Sequence, residues 1–376
     1  MRAAAYDAFG GPITIRNLPD PEPIEGEVIV RVRASGVCRS DWHGWSGHDP
    51  DIGEMPHVPG HELAGEVAAV GPGVTSWKVG DRVTVPFVAG CGSCDQCRTG
   101  NQQVCDAQSQ PGFTHWGSFA ELVRVRYAEG NLVALPEEVD FVSAAALGCR
   151  FTTAYRAVVA QGRVQPDEWV AVHGCGGVGL SAVMIAQSLG ARVVAVDINF
   201  EALELATELG AEVTIDGKSG DVAAAVIDAT DGGVDLSLDA MGHQAILWNS
   251  ISSLRKRGRH VQVGLLPGED ARAPIPIDLV IARELEVVGS HGMQAHLFPG
   301  LVALILAGKL DPSRLVTRVC NLEQGAAILQ SLSESRHAGI TVIDDFEGHT
   351  EAAEPFTRVA GRGRSVTGRP EPAGGS

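Results

Sequence analysis

Apolar and polar positions alternate with different periods in the two halves of the chain. Up to about residue 150 the apolar runs are short and β-branched, as in Glu27–Val32 (EVIVRV), Glu62–Val70 and Asp81–Val85, with Gly and Pro between them. Such spacing predicts short strands joined by turns, hence a largely β unit. From about 151 the pattern changes. Trp169–His173 reads as a buried strand, Val178–Leu189 as a helix, Arg192–Asp197 as a strand and Glu201–Leu209 as a helix. Val213–Asp216, Val234–Asp239, His260–Gly264 and Leu285–Gly289 read as further strands. Strands alternating with helices predict a parallel sheet covered on both faces, an α/β architecture. Beyond it lie one helix, Leu301–Ala307, and one strand, Ile340–Ile343. The last thirty residues carry few large apolar groups, too few to offset the entropy of ordering, and predict a disordered tail. No repeat of 20–50 residues is visible.

Length changes this picture little: 376 residues suit two domains, each with its own core. Charge excludes more. A formal net charge of -17 lacks the basic face that nucleic acids or anionic membranes require. No stretch reaches the roughly 18–20 apolar residues of a membrane span. The first residues lack the pattern of a signal peptide, so the expected compartment is the cytoplasm. Thiols there stay reduced, and clustered cysteines point to metal rather than disulfides.

Four of the eight cysteines, Cys91, Cys94, Cys97 and Cys105, fall within fifteen residues. Four thiolates complete a tetrahedral zinc and leave no place for substrate, which makes a structural site. The residues Gly174-Cys175-Gly176-Gly177-Val178-Gly179 follow a predicted strand and open a predicted helix. They fit G-x-G-x-x-G, with Asp197 at the end of the next strand to bond an adenosine ribose. This is the fingerprint of a Rossmann doubly wound sheet. The carboxylate would repel a 2′-phosphate, so NAD is expected over NADP. Cys38, His61 and Cys149 are dispersed. Singly, Cys149 reads equally as a small core residue and His61 as a loop histidine. Together, two thiolates and one imidazole would leave one zinc position open, as a catalytic site needs.

The segments around these residues resemble the zinc-dependent alcohol dehydrogenases of the medium-chain dehydrogenase/reductase family. The matching motifs are Gly60-His61-Glu62-Leu63-Ala64-Gly65-Glu66 with Gly71 and Val74, Gly36 to His43, Leu147-Gly148-Cys149 with Thr152 to Tyr155, the four cysteines and the glycine turn. They occur in the family's order and span roughly residues 1–346. The resemblance implies a mainly β, GroES-like catalytic unit over 1–150 containing the zinc lobe 91–105. It also implies an NAD-binding Rossmann unit over 151–290, a return to the catalytic unit over 291–346, and the tail from 347 to 376. Cys38, His61 and Cys149 would bind catalytic zinc, giving two zinc ions per chain. Glu62 would lie close to that metal and approach it during ligand exchange, and Asp41 would orient the histidine. Ser40 would take the alcohol proton and His43 would stand at the outer end of the relay, reached through the cofactor ribose. Arg39 and Thr153 would lie near the cofactor's phosphates and nicotinamide. Hydride would pass between the alcohol carbon and NAD, interconverting an alcohol and an aldehyde or ketone.

Phe87, Trp116 and Trp45 fall where relatives line the substrate channel, though they read equally as core packing. The basic residue that many relatives carry near the C-terminal strand corresponds here to Ile340, and a lysine after the ribose-binding acid is replaced within Phe200-Glu201-Ala202. Relatives form homo-oligomers, and a tetramer is expected over a dimer. Two rivals remain: a polyol or amino-alcohol dehydrogenase of the same family, against which Cys149 weighs, and a cofactor-binding protein without catalysis.

Overall fold

A computed structural model describes residues 1–334 and 337–348. Beyond Gly348 the expected tail lies outside the described residues. Two sheets carry the chemistry. The first is parallel and six-stranded, in the spatial order Val213–Asp216, Arg192–Asp197, Trp169–His173, Val234–Asp239, Leu254–Gln262 and Glu286–Gly289. Numbered along the chain this is 3-2-1-4-5-6, the doubly wound order whose switch point lies beside the first strand. Trp169–His173 is buried along its whole length, as a strand with helices on both faces must be.

The second sheet has seven strands and is antiparallel around Val28–Val37, which pairs with Glu62–Val70, with Leu122–Val125 and with Ile340–Asp345. Val316–Asn321 pairs in parallel with Ile340–Asp345. Strands near both ends of the chain therefore share one sheet, and the parallel sheet is inserted between them. A helical run joins the two. It comprises Phe141–Ala145, the π-helical Leu147–Phe151, Thr152–Tyr155 and the π-helical Arg156–Gln161.

Several predicted strands match the structure to the residue: Glu62–Val70, Trp169–His173, Arg192–Asp197, Val213–Asp216 and Val234–Asp239. Others shift. The strand expected at His260–Gly264 runs over Leu254–Gln262, because its charged first half (RKRGR) hides it from an apolar search. The helix expected at Leu301–Ala307 begins at Phe298, with Pro299 in its first turn, a position proline tolerates.

Candidate active site

The register of Val28–Val37 against Glu62–Val70 sets Gly36 opposite Glu62. The end of one strand thus lies beside the start of the next, which brings Cys38 to His61 across 23 residues of sequence. Cys38 caps the helix Arg39–Trp45, and Asp41 in its first turn closes the cap: Asp41 Oδ2 accepts from the Cys38 N–H at 3.2 Å. The other oxygen of Asp41 accepts from Gly60 N–H at 2.9 Å and from His61 Nδ1 at 2.7 Å. His61 is therefore fixed with Nδ1–H toward Asp41 and Nε2 toward the cluster, the usual outer-shell arrangement of a metal-binding histidine.

Cys149 arrives from the helical run, where Gly148 packs against the Glu62 backbone. One ligand atom from each of Cys38, His61, Glu62 and Cys149 lies within 4.8 Å of the others, and all four residues are buried. His61 Nε2 is buried with no hydrogen-bond partner among the described residues. An orphaned imidazole nitrogen facing two sulfurs fits a metal ion and fits little else. Hydrogen bonding from Cys149 is the largest influence holding the Cys38 thiol well below its ordinary range, and Arg150 adds to it.

Glu62 is paired with Arg150. Its Oε1 accepts from the Arg150 N–H at 2.9 Å and from Arg150 Nε at 3.0 Å, and Oε2 pairs with Nη2. Burial pushes the Glu62 carboxyl up, and Arg150 opposes that. Sequence reading missed Arg150, which carries no motif signal beyond its place after Cys149. A Cβ at Gly36 would stand 2.2 Å from Glu62 Oε2, and one at Gly177 would stand 2.4 Å from Arg150 Cδ. Those two glycines make room for the pair, which spans from the cysteine cluster to the nucleotide turn.

In that turn Gly174 takes φ +92, and a Cβ at Gly179 would stand 1.8 Å from the Gly174 oxygen, so helix Gly177–Ser188 lies close on its strand. Nothing stands within 4 Å of a Cβ at Gly176, which leaves the backbone open to a pyrophosphate at the helix N-terminus. Val178 stands half-buried in the first turn of that helix. Asp197 Oδ2 accepts from Cys175 N–H at 2.6 Å, and Oδ1 from Asn199 N–H at 2.8 Å. Asp197, Gly176, Arg39 and Lys218 line a cleft of about 810 Å³. Ile340 is wholly buried in the core, and His337 and Ala338 of that segment line the cleft. The Thr153 hydroxyl is buried without a partner among the described residues. Ser40 and His43 lie half-buried on the helix capped by Cys38.

The four-cysteine lobe is a second cluster, its sulfurs also within 4.8 Å of one another. Here backbone N–H groups point at sulfur: those of Ser93 and Cys94 at Cys91, that of Cys97 at Cys94, and those of Cys91 and Ala107 at Cys105. Hydrogen bonds from Ser93 hold the Cys91 thiol down at about 6, whereas burial pushes Cys97 up to about 12.

Of the three expected channel residues, Phe87 borders His61, with ring centroids 6.1 Å apart. Its companion is Phe113, at 5.2 Å, which sequence reading passed over. The indole of Trp116 donates to the Pro56 oxygen, and Trp116 lines with Phe113 a cavity of about 720 Å³ beside Met1 and His57. Trp45 donates to the Gly11 oxygen.

A nucleotide cleft whose glycine turn abuts the salt bridge of a buried cysteine–histidine cluster is the arrangement of a metal-dependent dehydrogenase. Comparison with known proteins specifies the family. Residues 24–137 match the alcohol dehydrogenase GroES-like domain, and residues 177–307 match the zinc-binding dehydrogenase domain. An alcohol dehydrogenase of Geobacillus stearothermophilus is 37% identical over 345 residues, 91% of this chain and 98% of the relative. An NAD-dependent alcohol dehydrogenase of Sulfurisphaera tokodaii is 33% identical over 353 residues, covering 91% and 99%. Among solved structures, benzyl alcohol dehydrogenase from Acinetobacter calcoaceticus superposes with a TM-score of 0.84 at 30% identity, covering 92% of this chain and 99% of that one. The chain belongs to the zinc-dependent medium-chain alcohol dehydrogenases, enzymes that interconvert an alcohol and its aldehyde or ketone.

Proposed function

We propose that this chain oxidises apolar, including aromatic, alcohols with NAD, and reduces the matching carbonyl compounds, at a site held by Cys38, His61 and Cys149. The observation that carries the reading is the buried convergence of these three residues with Glu62, with His61 Nε2 left unpartnered. When bound, zinc supplies a Lewis acid for the substrate oxygen, and NAD supplies the hydride acceptor.

The chain's own residues do the rest. Asp41 holds His61 in the tautomer that offers Nε2 as a ligand. Arg150 balances the Glu62 charge in a site that water does not reach. Ser40 accepts the alcohol proton, and His43 carries it outward. Phe87 and Phe113 wall the site with apolar rings, which favours apolar substrates over polyols, and a solved relative is a benzyl alcohol dehydrogenase. Gly174, Gly176, Gly177, Val178 and Gly179 form the pyrophosphate turn, with Arg39 and Thr153 nearby. Asp197 selects NAD because a 2′-phosphate would meet its carboxylate. Cys91, Cys94, Cys97 and Cys105 hold a structural zinc.

Two units fit this division of labour. Residues 1–150 and 291–346 form the catalytic unit, and residues 151–290 form the nucleotide unit. Support comes from Val316–Asn321 and Ile340–Asp345 joining the sheet of Val28–Val37, while all strands from 169 to 289 join the other. A homo-oligomer, tetrameric by analogy with bacterial relatives, is supported by exposed Leu265, Ile277 and Ile281 and by the edge strand Glu286–Gly289. Among the described residues no helix is long and apolar enough to cross a membrane, and we place the enzyme in the cytoplasm.

The test is an NAD-coupled screen of primary, secondary, aromatic and polyhydroxy alcohols, with and without a chelator. Chelator-sensitive turnover of benzyl or simple alkyl alcohols supports the reading. Turnover confined to sorbitol or threonine contradicts the substrate class. NADP preferred over NAD contradicts the role of Asp197.

A further inference from the structure

The helix that starts at Cys38 ends in a tight turn, and the turn carries a histidine that no motif marks. Ser46 N–H donates to the Trp42 oxygen, Gly47 N–H to the Gly44 oxygen and His48 N–H to the His43 oxygen. The chain thereby folds back, and His48 Nδ1 comes to lie 3.0 Å from His43 Nδ1. The Trp42 ring meets both imidazoles edge-on, at 5.1 and 5.7 Å between centroids. Backbone and indole together hold the pair. His43 is half-buried and His48 is exposed, so the pair runs from the site toward solvent.

Two imidazole nitrogens at 3.0 Å share one proton, one ring donating and the other accepting. When His43 donates from Nδ1, its Nε2 is an open acceptor and the N–H of His48 is on Nε2. We infer that His48 is the exit of the proton relay: it orients His43 through the Nδ1 contact and takes the proton from it. The inference rests on the role proposed for His43. The step balances. A proton enters at His43 Nε2, the proton already on His43 Nδ1 moves to His48 Nδ1, and the His48 Nε2 proton leaves to water. No electron moves.

The surroundings favour outward transfer. Burial, then His48, then Arg39 lower the affinity of His43 for a proton, and Cys38 opposes them. Apolar side chains lie against the glycines of this helix and its turn, Ile52 and Phe113 at Gly44 and Phe9 at Gly47, and the helix Leu322–Gln330 also packs on it. Asp49, next along the chain, accepts from the Asp51 N–H at 2.9 Å. A proton on His43 Nδ1 has the exposed ring of His48 within hydrogen-bond distance.

The test compares wild type, His48→Gln and His43→Gln as full-length, zinc-loaded proteins. Without turnover, the His43 resonance is followed against pH by NMR of histidine-labelled protein. In His48→Gln it titrates at higher pH than in wild type, because a neighbouring positive charge is gone. In turnover, proton release during alcohol oxidation is followed with an indicator dye in weak buffer. His48→Gln slows it by about tenfold or more, and added imidazole buffer restores it. An unchanged release rate or an unchanged His43 titration in His48→Gln overturns the inference. Impairment in His43→Gln alone leaves the role of His43 standing. No effect in either variant removes that role and the inference with it.

Discussion

The chain builds two cysteine clusters of the same size from opposite materials. The lobe draws four ligands from fifteen consecutive residues, lies near the surface and steadies its sulfurs with backbone N–H groups. The inner cluster draws its ligands from three separate segments, is wholly buried and steadies them with carboxylates and an arginine. The first is closed by four sulfurs. The second has two sulfurs and one imidazole, with a carboxylate already committed to Arg150. A cluster local in sequence can hold only its own loop together. A cluster assembled by tertiary structure sits where strands, helix and nucleotide turn meet, and there a metal can take part in a reaction.

The largest effect expected from breaking this contrast is at Cys38. Cys38→Ser should lower turnover by at least about a thousandfold while leaving the melting temperature nearly unchanged. Cys97→Ser should do the reverse at first. It should release the structural zinc and lower the melting temperature by roughly 10 °C or more, with activity lost only as the lobe opens. Activity and thermal melts on the same preparations check both. Equal behaviour of the two variants would erase the distinction.

Next comes the buried pair. Arg150→Met should destabilise the protein by about 3–5 kcal/mol, because it strands the Glu62 carboxylate in a dry site. The double variant Glu62→Gln with Arg150→Met should recover much of that loss, which a denaturant double-mutant cycle measures. Asp41→Asn should cost about 10–100-fold in metal affinity or activity, because His61 loses the acceptor that fixes its tautomer. Metal-exchange rates at the two clusters would show whether only the inner one is affected.

The legibility of the two regions follows the same division. Contiguous signals are readable from sequence: the four cysteines, the glycine turn, and strands such as Trp169–His173 whose burial is continuous. Cys38, His61 and Cys149 became readable only because resemblance grouped them, since no local period links residues on separate segments. Arg150 and Phe113 were not readable. Their importance comes from what they touch across the fold, Glu62 in one case and His61 in the other. Trp116 reads equally as channel lining or as packing, and local sequence does not show that its indole donates to the Pro56 oxygen.

The smallest effect concerns pH and the parallel sheet. Burial holds His260 down to about 4 and His173 to about 3, from an ordinary value of 6.5. Their folded values are depressed, so the unfolded chain binds protons first on acidification. Stability is complete above about pH 6.5 and is lost as pH falls toward 4. Chemical denaturation between pH 7 and 4 checks this. A melt that strengthened on acidification would contradict it.

The most direct test of the central claim is zinc content with X-ray absorption at the zinc edge, on wild type and on Cys38→Ser. Wild type should carry two zinc ions per chain, one for each cluster. Its averaged environment should mix sulfur with nitrogen or oxygen. The variant should retain one zinc in an all-sulfur environment. A wild-type protein with a single, all-sulfur zinc, or a variant that keeps both ions in unchanged surroundings, would contradict the account.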